Sequence, residues 1–343
     1  MLYRSFCLFS QWEYGLAIPL LRQYITSSIP RYQRLVGSVN LAAALTGVQD
    51  FAEARTLLTE LLAEVSRGQF HRLHGNCLEM MAQISFFRGD LSACFESLER
   101  AERLLAAMPT SDLFFVRKWR AIASSIRDRD PDPLLRLRQE ALARRDWETV
   151  RETDRHQLRI RFDERTFERL IFGTPFPAYR QRICGELDRE PRHDSYLLGC
   201  EDTPIGSGGS VESCESGESV ESAGSVLDLI SGHGCAEAGL NVGEKPLDLI
   251  EVLARDFYRP KGIGALFSHL HPNERFNPFS SAPRLHQLIS RTRAILDERG
   301  VPLAITQFHG TYQLEFPQPG LLRSVPFACP SPTPHSRWIP SGI

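Results

Sequence analysis

Apolar residues recur at three- and four-residue spacing in five stretches of the first part of the chain: 35–45, 52–65, 77–87, 91–105 and 113–126. That is the period of helices with one buried face, and no period-two alternation long enough for a sheet occurs before residue 196. Short breaks at 47–50, 67–68, 89–90 and 108–111 separate the helices. From 127 to 196 the pattern stays helical but turns more polar. Acidic and basic residues interleave through 136–170, which predicts a solvated helix face rather than a nucleic-acid stripe. The sequence FGTPFP (172–177) sets two prolines where a helix cannot continue, so a turn or extended corner is predicted there. It lacks the glycines and lysine of a phosphate loop.

The breaks repeat. VQDFAEA (48–54) and RGDLSAC (88–94) superimpose with their aspartates 40 residues apart, and RRDWETV (144–150) is a weaker third copy. Asp50 and Asp90 are placed to cap the second helix of a pair, and Ala54 and Ala93 to let two helices approach closely. This turn, with Ala101 and Pro109 later in the second copy, resembles the tetratricopeptide repeats, whose turn commonly reads Gly-Asp-Tyr-x-x-Ala. The resemblance covers about residues 30–126. Its period is longer than the family's, and the family's first-helix Trp/Leu/Gly pattern is missing. It implies stacked helix-turn-helix pairs that offer a surface to a protein partner or a signal.

Beyond residue 196 the character changes. Residues 197–243 carry eight acidic side chains and no lysine or arginine, and serine stands at every third position from 207 to 225. So little apolar surface cannot offset ordering entropy, and 197–225 reads as a flexible acidic linker. The last 27 residues, from 317, hold seven prolines and read as a disordered tail. Between linker and tail, 226–230 and 240–242 are brief candidate strands, 247–254 a helix and 263–270 a short helix. A longer helix spans about 282–299, with Pro283 in its first turn and Gly300 past its end. Leu285, Leu288, Ile289, Ile295 and Leu296 form its apolar face; Arg284, Gln287, Ser290, Arg291 and Ala294 lie opposite, flanked by His286 and Arg293. Residues 302–307 and 311–316 alternate as the strands of a hairpin around Phe308, His309 and Gly310.

That order, with LIEVLA (249–254), ISRTR (289–293) and ITQFHGTY (305–312), resembles the winged helix-turn-helix domain of OmpR/PhoB-type bacterial response regulators, over residues 226–316. The family reads Ile-Ser-Arg-Leu-Arg in its recognition helix and Ile-x-Thr-Val-Arg-Gly-x-Gly-Tyr in its wing. Here His309 replaces the wing arginine and the wing is one residue shorter. No phosphorylatable receiver precedes it, so control by aspartyl phosphorylation is not implied. The resemblance implies double-stranded DNA as partner, with Arg284, Gln287, Ser290, Arg291 and Arg293 of the recognition helix at the major groove. His309 and Thr311 of the wing would approach the adjacent minor groove.

The fold class expected is therefore multidomain: an all-α helical-repeat part (1–126), a helical extension (127–196), the linker (197–225), an α+β winged-helix domain (226–316) and the tail (317–343). With 343 residues, 42% of them hydrophobic and 24% charged, the composition is globular. A net charge of −2 means that any nucleic-acid surface must be local. No apolar run is long enough to span a bilayer and no signal peptide is legible, so a cytoplasmic protein without a membrane partner is expected. Eight cysteines without a CxxC pair read as free thiols. His269 and His271 have no carboxylate or cysteine pair beside them, so no metal is expected. No nucleophile elbow, dinucleotide fingerprint or supported carboxylate pair is present, which argues against an enzyme and calls for no cofactor. The expectation is a bacterial transcriptional regulator. The alternative is a non-DNA scaffold in which repeats and winged helix both bind proteins; the basic face of the long helix favours DNA.

Overall fold

The computed structural model describes residues 1–67, 70–108, 110–191, 196–198, 226–229, 234–315 and 321–324. They form a helical N-terminal region and a smaller C-terminal α+β region, and the chain divides into two compact units. Among the described residues the first holds Met1–Phe162 with Gly185–Leu187; the second holds Asp163–Cys184 and those from Asp188 to Ser324.

The first unit runs α1 (Leu2–Phe9), α2 (Tyr14–Thr26), α3 (Arg31–Gly47), α4 (Phe51–Val65), α5 (His71–Phe87), α6 (Leu91–Leu105), α7 (Asp112–Asp128), α8 (Asp132–Arg144) and α9 (Trp147–Ile160). The five apolar stretches fall in α3 to α7. Helices α3, α5 and α7 pack side by side, with α4 and α6 as their hairpin partners. Leu21, Leu41, Leu45, Ala54 and Leu58 build one core, and Phe86, Cys94, Leu98, Leu105, Trp119 and Ile122 a second.

The repeated turn has a common construction. Gln49, Gly89 and Arg145 take left-handed φ values of +65°, +80° and +58°. The next residue is the aspartate, whose amide donates back to the helix just ended: Asp50 to Leu45 O, Asp90 to Ser85 O and Asp146 to Ala141 O, each at 2.9 Å. Its carboxylate then accepts the amide three residues on, from Glu53, Ala93 and Thr149, at 3.1, 3.0 and 3.1 Å. One residue closes a helix and opens the next. Four residues after each aspartate sit Ala54, Cys94 and Val150, all buried. The close-approach position of the second copy is therefore Cys94 and not Ala93, which supplies the capped amide.

Helix α9 departs from the solvated face predicted for it: every residue from 149 to 156 is buried. Its charges pair with one another, with α8 and with Glu186 further along the chain. Arg151 Nη1 meets Glu148 at 2.9 Å, Arg155 Nη1 meets Glu152 at 3.0 Å, and Arg138 Nε meets Asp154 at 3.0 Å. His156 lies edge-on to the rings of Phe86 and Trp119, and burial in that cage pushes its imidazole down to about 4.

Helices α10 (Glu164–Phe172) and α11 (Pro177–Leu187), which the second unit holds up to Cys184, meet at the predicted corner. Buried Arg180 donates Nε to the Thr174 carbonyl at 2.6 Å, and the Phe257 amide donates to the Gly173 carbonyl at 2.9 Å. The extension predicted over 127–196 is thus not one piece, since from Asp163 most of it belongs with the C-terminal region.

There follow β1 (Tyr196–Leu198), β2 (Val226–Asp228), α12 (Lys245–Ala254), β3 (Lys261–Gly262), α13 (Ile263–Leu270), α14 (Ser281–Glu298), β4 (Ala304–Phe308), β5 (Thr311–Glu315) and β6 (Leu321–Ser324). One three-stranded sheet has the order β1-β6-β2, with β1 antiparallel and β2 parallel to β6. The other is antiparallel, in the order β3-β5-β4. Residues 197 and 198, read as linker, belong to β1, and 321–324, read as tail, pair as β6. The rest of the linker and tail lies outside the described residues. The candidate strand at 240–242 does not form: turns occupy 234–239, Gly239 and Gly243 take φ of +71° and +84°, and Val242 is exposed. Among the described residues no helix is long and apolar enough to cross a membrane.

Candidate nucleic-acid interface

Helix α14 is fixed at both ends. The Asn277 amide donates to Ser281 Oγ at 3.0 Å, the Ser281 amide returns to the Asn277 carbonyl at 2.7 Å, and the Phe279 amide donates to Asn277 Oδ1 at 2.9 Å. At the other end Gly300 takes φ +62°, its amide reaches Asp297 O and that of Val301 reaches Leu296 O. Between them Leu285, Ile289, Thr292 and Leu296 point inward, a spacing that keeps one face of the helix on the core.

The opposite face is solvent. Arg284, Gln287, Ser290 and Arg291 are all exposed, as the sequence predicts. Arg284 makes a two-pronged contact with Glu274, at 2.7 and 3.3 Å, and its guanidinium sits 5.6 Å from the Phe267 ring centroid. That hydrogen bond holds the Glu274 carboxyl below its ordinary range. Arg291 lies 3.9 Å from Glu244. Both pairs are open to water, where carboxylate can be exchanged for another anion at little cost.

Arg293 is different. Half-buried, it donates Nε to the Ile305 carbonyl at 2.8 Å and so fastens α14 to β4. It lies on the side of the helix, between the buried face and the exposed one.

The β4–β5 hairpin carries the two wing candidates. His309 is exposed with φ +48°; Thr311 is half-buried and donates its hydroxyl to the Phe308 carbonyl at 2.7 Å. The turn is His309 and Gly310 alone, because Phe308 pairs with Thr311. The Arg293 bond joins α14 to the hairpin, and the Thr311 hydroxyl braces the hairpin itself.

Three further exposed side chains were not among the site residues expected from the sequence. Arg275 and Phe279 lie in the loop between α13 and α14, and Phe308 at the hairpin tip. Phe279 is 92% exposed although the Asn277 hydrogen bonds hold its backbone. A phenylalanine between proline and serine in NPFSS (277–281) follows no apolar period, and Phe308 falls where the sequence predicts a turn.

His271 stacks on Phe267 and lies 3.2 Å from Glu274, and His269 Nδ1 is 2.8 Å from the Ala265 carbonyl, so both imidazoles have protein partners. Among the described residues no group of three His, Cys, Asp or Glu side chains could hold a metal. In the first unit an open depression of about 260 Å³ lies between α3 and α5, lined by Tyr32, Val36, Asn40, Arg72 and Asn76 among others. Arg72 there is engaged by Asp112 of α7.

No family model matches the chain, and no curated protein or solved structure matches it.

Proposed function

We propose that this chain is a DNA-binding transcriptional regulator. In this reading its C-terminal region is a winged helix-turn-helix of the OmpR/PhoB type, with α14 in the major groove of double-stranded DNA. The helices of the first unit, of tetratricopeptide type, take a protein partner or a signal. One observation carries the reading: α12, β3, α13, α14, β4 and β5 follow one another with the strand order β3-β5-β4, which is the order of a winged helix. The chemistry of the outer face agrees with it. Arginine can reach guanine O6 and N7 or a phosphate, and glutamine the edge of adenine. A cytoplasmic location follows from such a role.

Binding requires Arg284 and Arg291 to leave Glu274 and Glu244 for phosphate or base. Residues 234–315 hold nine basic and nine acidic side chains, so the long-range field is weak and short-range contacts must dominate. The test is fluorescence anisotropy of the full chain on labelled random duplex across a salt series, beside Arg284→Ala/Gln287→Ala/Arg291→Ala. Affinity falls as salt rises, and the triple variant binds roughly tenfold or more weakly with an unchanged unfolding midpoint. Absence of binding by the folded protein at about 50 mM salt refutes the reading.

The same charge balance, together with the two arginine–glutamate pairs, favours a second reading. In it the C-terminal region and the α3–α5 depression both contact proteins, and duplex DNA is not bound at any salt.

A further inference from the structure

We draw no further inference here: the strongest candidate, the surface patch of exposed apolar side chains on the first two helices (Tyr3 and Phe6 of α1 with Leu16 of α2), is a face for which nothing among the described residues shows what covers it.

Discussion

Helices α9 and α14 both set arginines among polar and acidic side chains, yet α9 buries its charges from residue 149 to 156 whereas α14 leaves the charges of one face in water. The difference lies in the apolar pattern. Leu285, Ile289 and Leu296 recur in helical register along α14, so one face docks and the other stays free. In α9 Val150 and Leu158 are the only large aliphatic residues buried, and its ionic groups instead find partners three residues away, on α8 or on α11. A buried, paired charge is committed to the fold. An exposed one, even when paired, can be given to a ligand.

The largest expected effect tests the buried half of that contrast. Arg155→Ala leaves the Glu152 and Glu186 carboxylates without the guanidinium both now share. Burial opposes ionisation of Glu152, but Arg155 foremost, with His156 and Lys118, holds it well below the usual range. Removing one partner of such a set costs about 3–5 kcal/mol, read as a lowered urea midpoint. Arg284→Ala, by contrast, leaves that midpoint where it is.

Next comes pH. Burial pushes the Glu79 carboxyl on α5 up to about 7, against a 2.6 Å hydrogen bond from Gln83. The unfolded chain releases that proton near pH ~4.3, so folding holds it through the interval between and stability falls as pH rises from ~4.3 to ~7. Glu79→Gln removes this slope and gains about 3 kcal/mol at pH 8 relative to pH 4 in urea unfolding. His156 acts in the opposite sense. With its folded value at about 4, the unfolded chain protonates first, and stability is lost as pH falls from ~6.5 towards 4. The exposed ionic pairs of α14 add no comparable slope.

The smallest effect separates the two helix starts. Asp146→Ala removes the cap of α9 and costs about 1 kcal/mol, as do Asp50→Ala and Asp90→Ala at the matching turns. Ser280→Ala at the start of α14, where no side chain caps the helix among the described residues, leaves the unfolding midpoint unchanged.

Sequence alone reached the helices and the hairpin because their apolar periods are clean, and it reached the repeated turn because one aspartate does two jobs there. It placed Arg284, Gln287, Ser290 and Arg291 on the open face of α14 from the same period. It misplaced α9, since alternating charge looks alike whether the partners are water or one another. Arg293 sits at the margin of the α14 stripe, and only the position of β4 shows which partner its Nε takes. Strands β1 and β6 are too short to show a period, and their pairing partners are distant in the chain. Phe279 stands in a turn and Phe308 at the last strand position before one, where exposure depends on backbone geometry that no spacing encodes.

The most direct measurement is amide hydrogen exchange of the full chain with and without saturating duplex DNA. The account predicts slowed exchange over 281–294 and 304–312, with α9 unchanged. Slowing confined to α3–α7, or none anywhere, would contradict it.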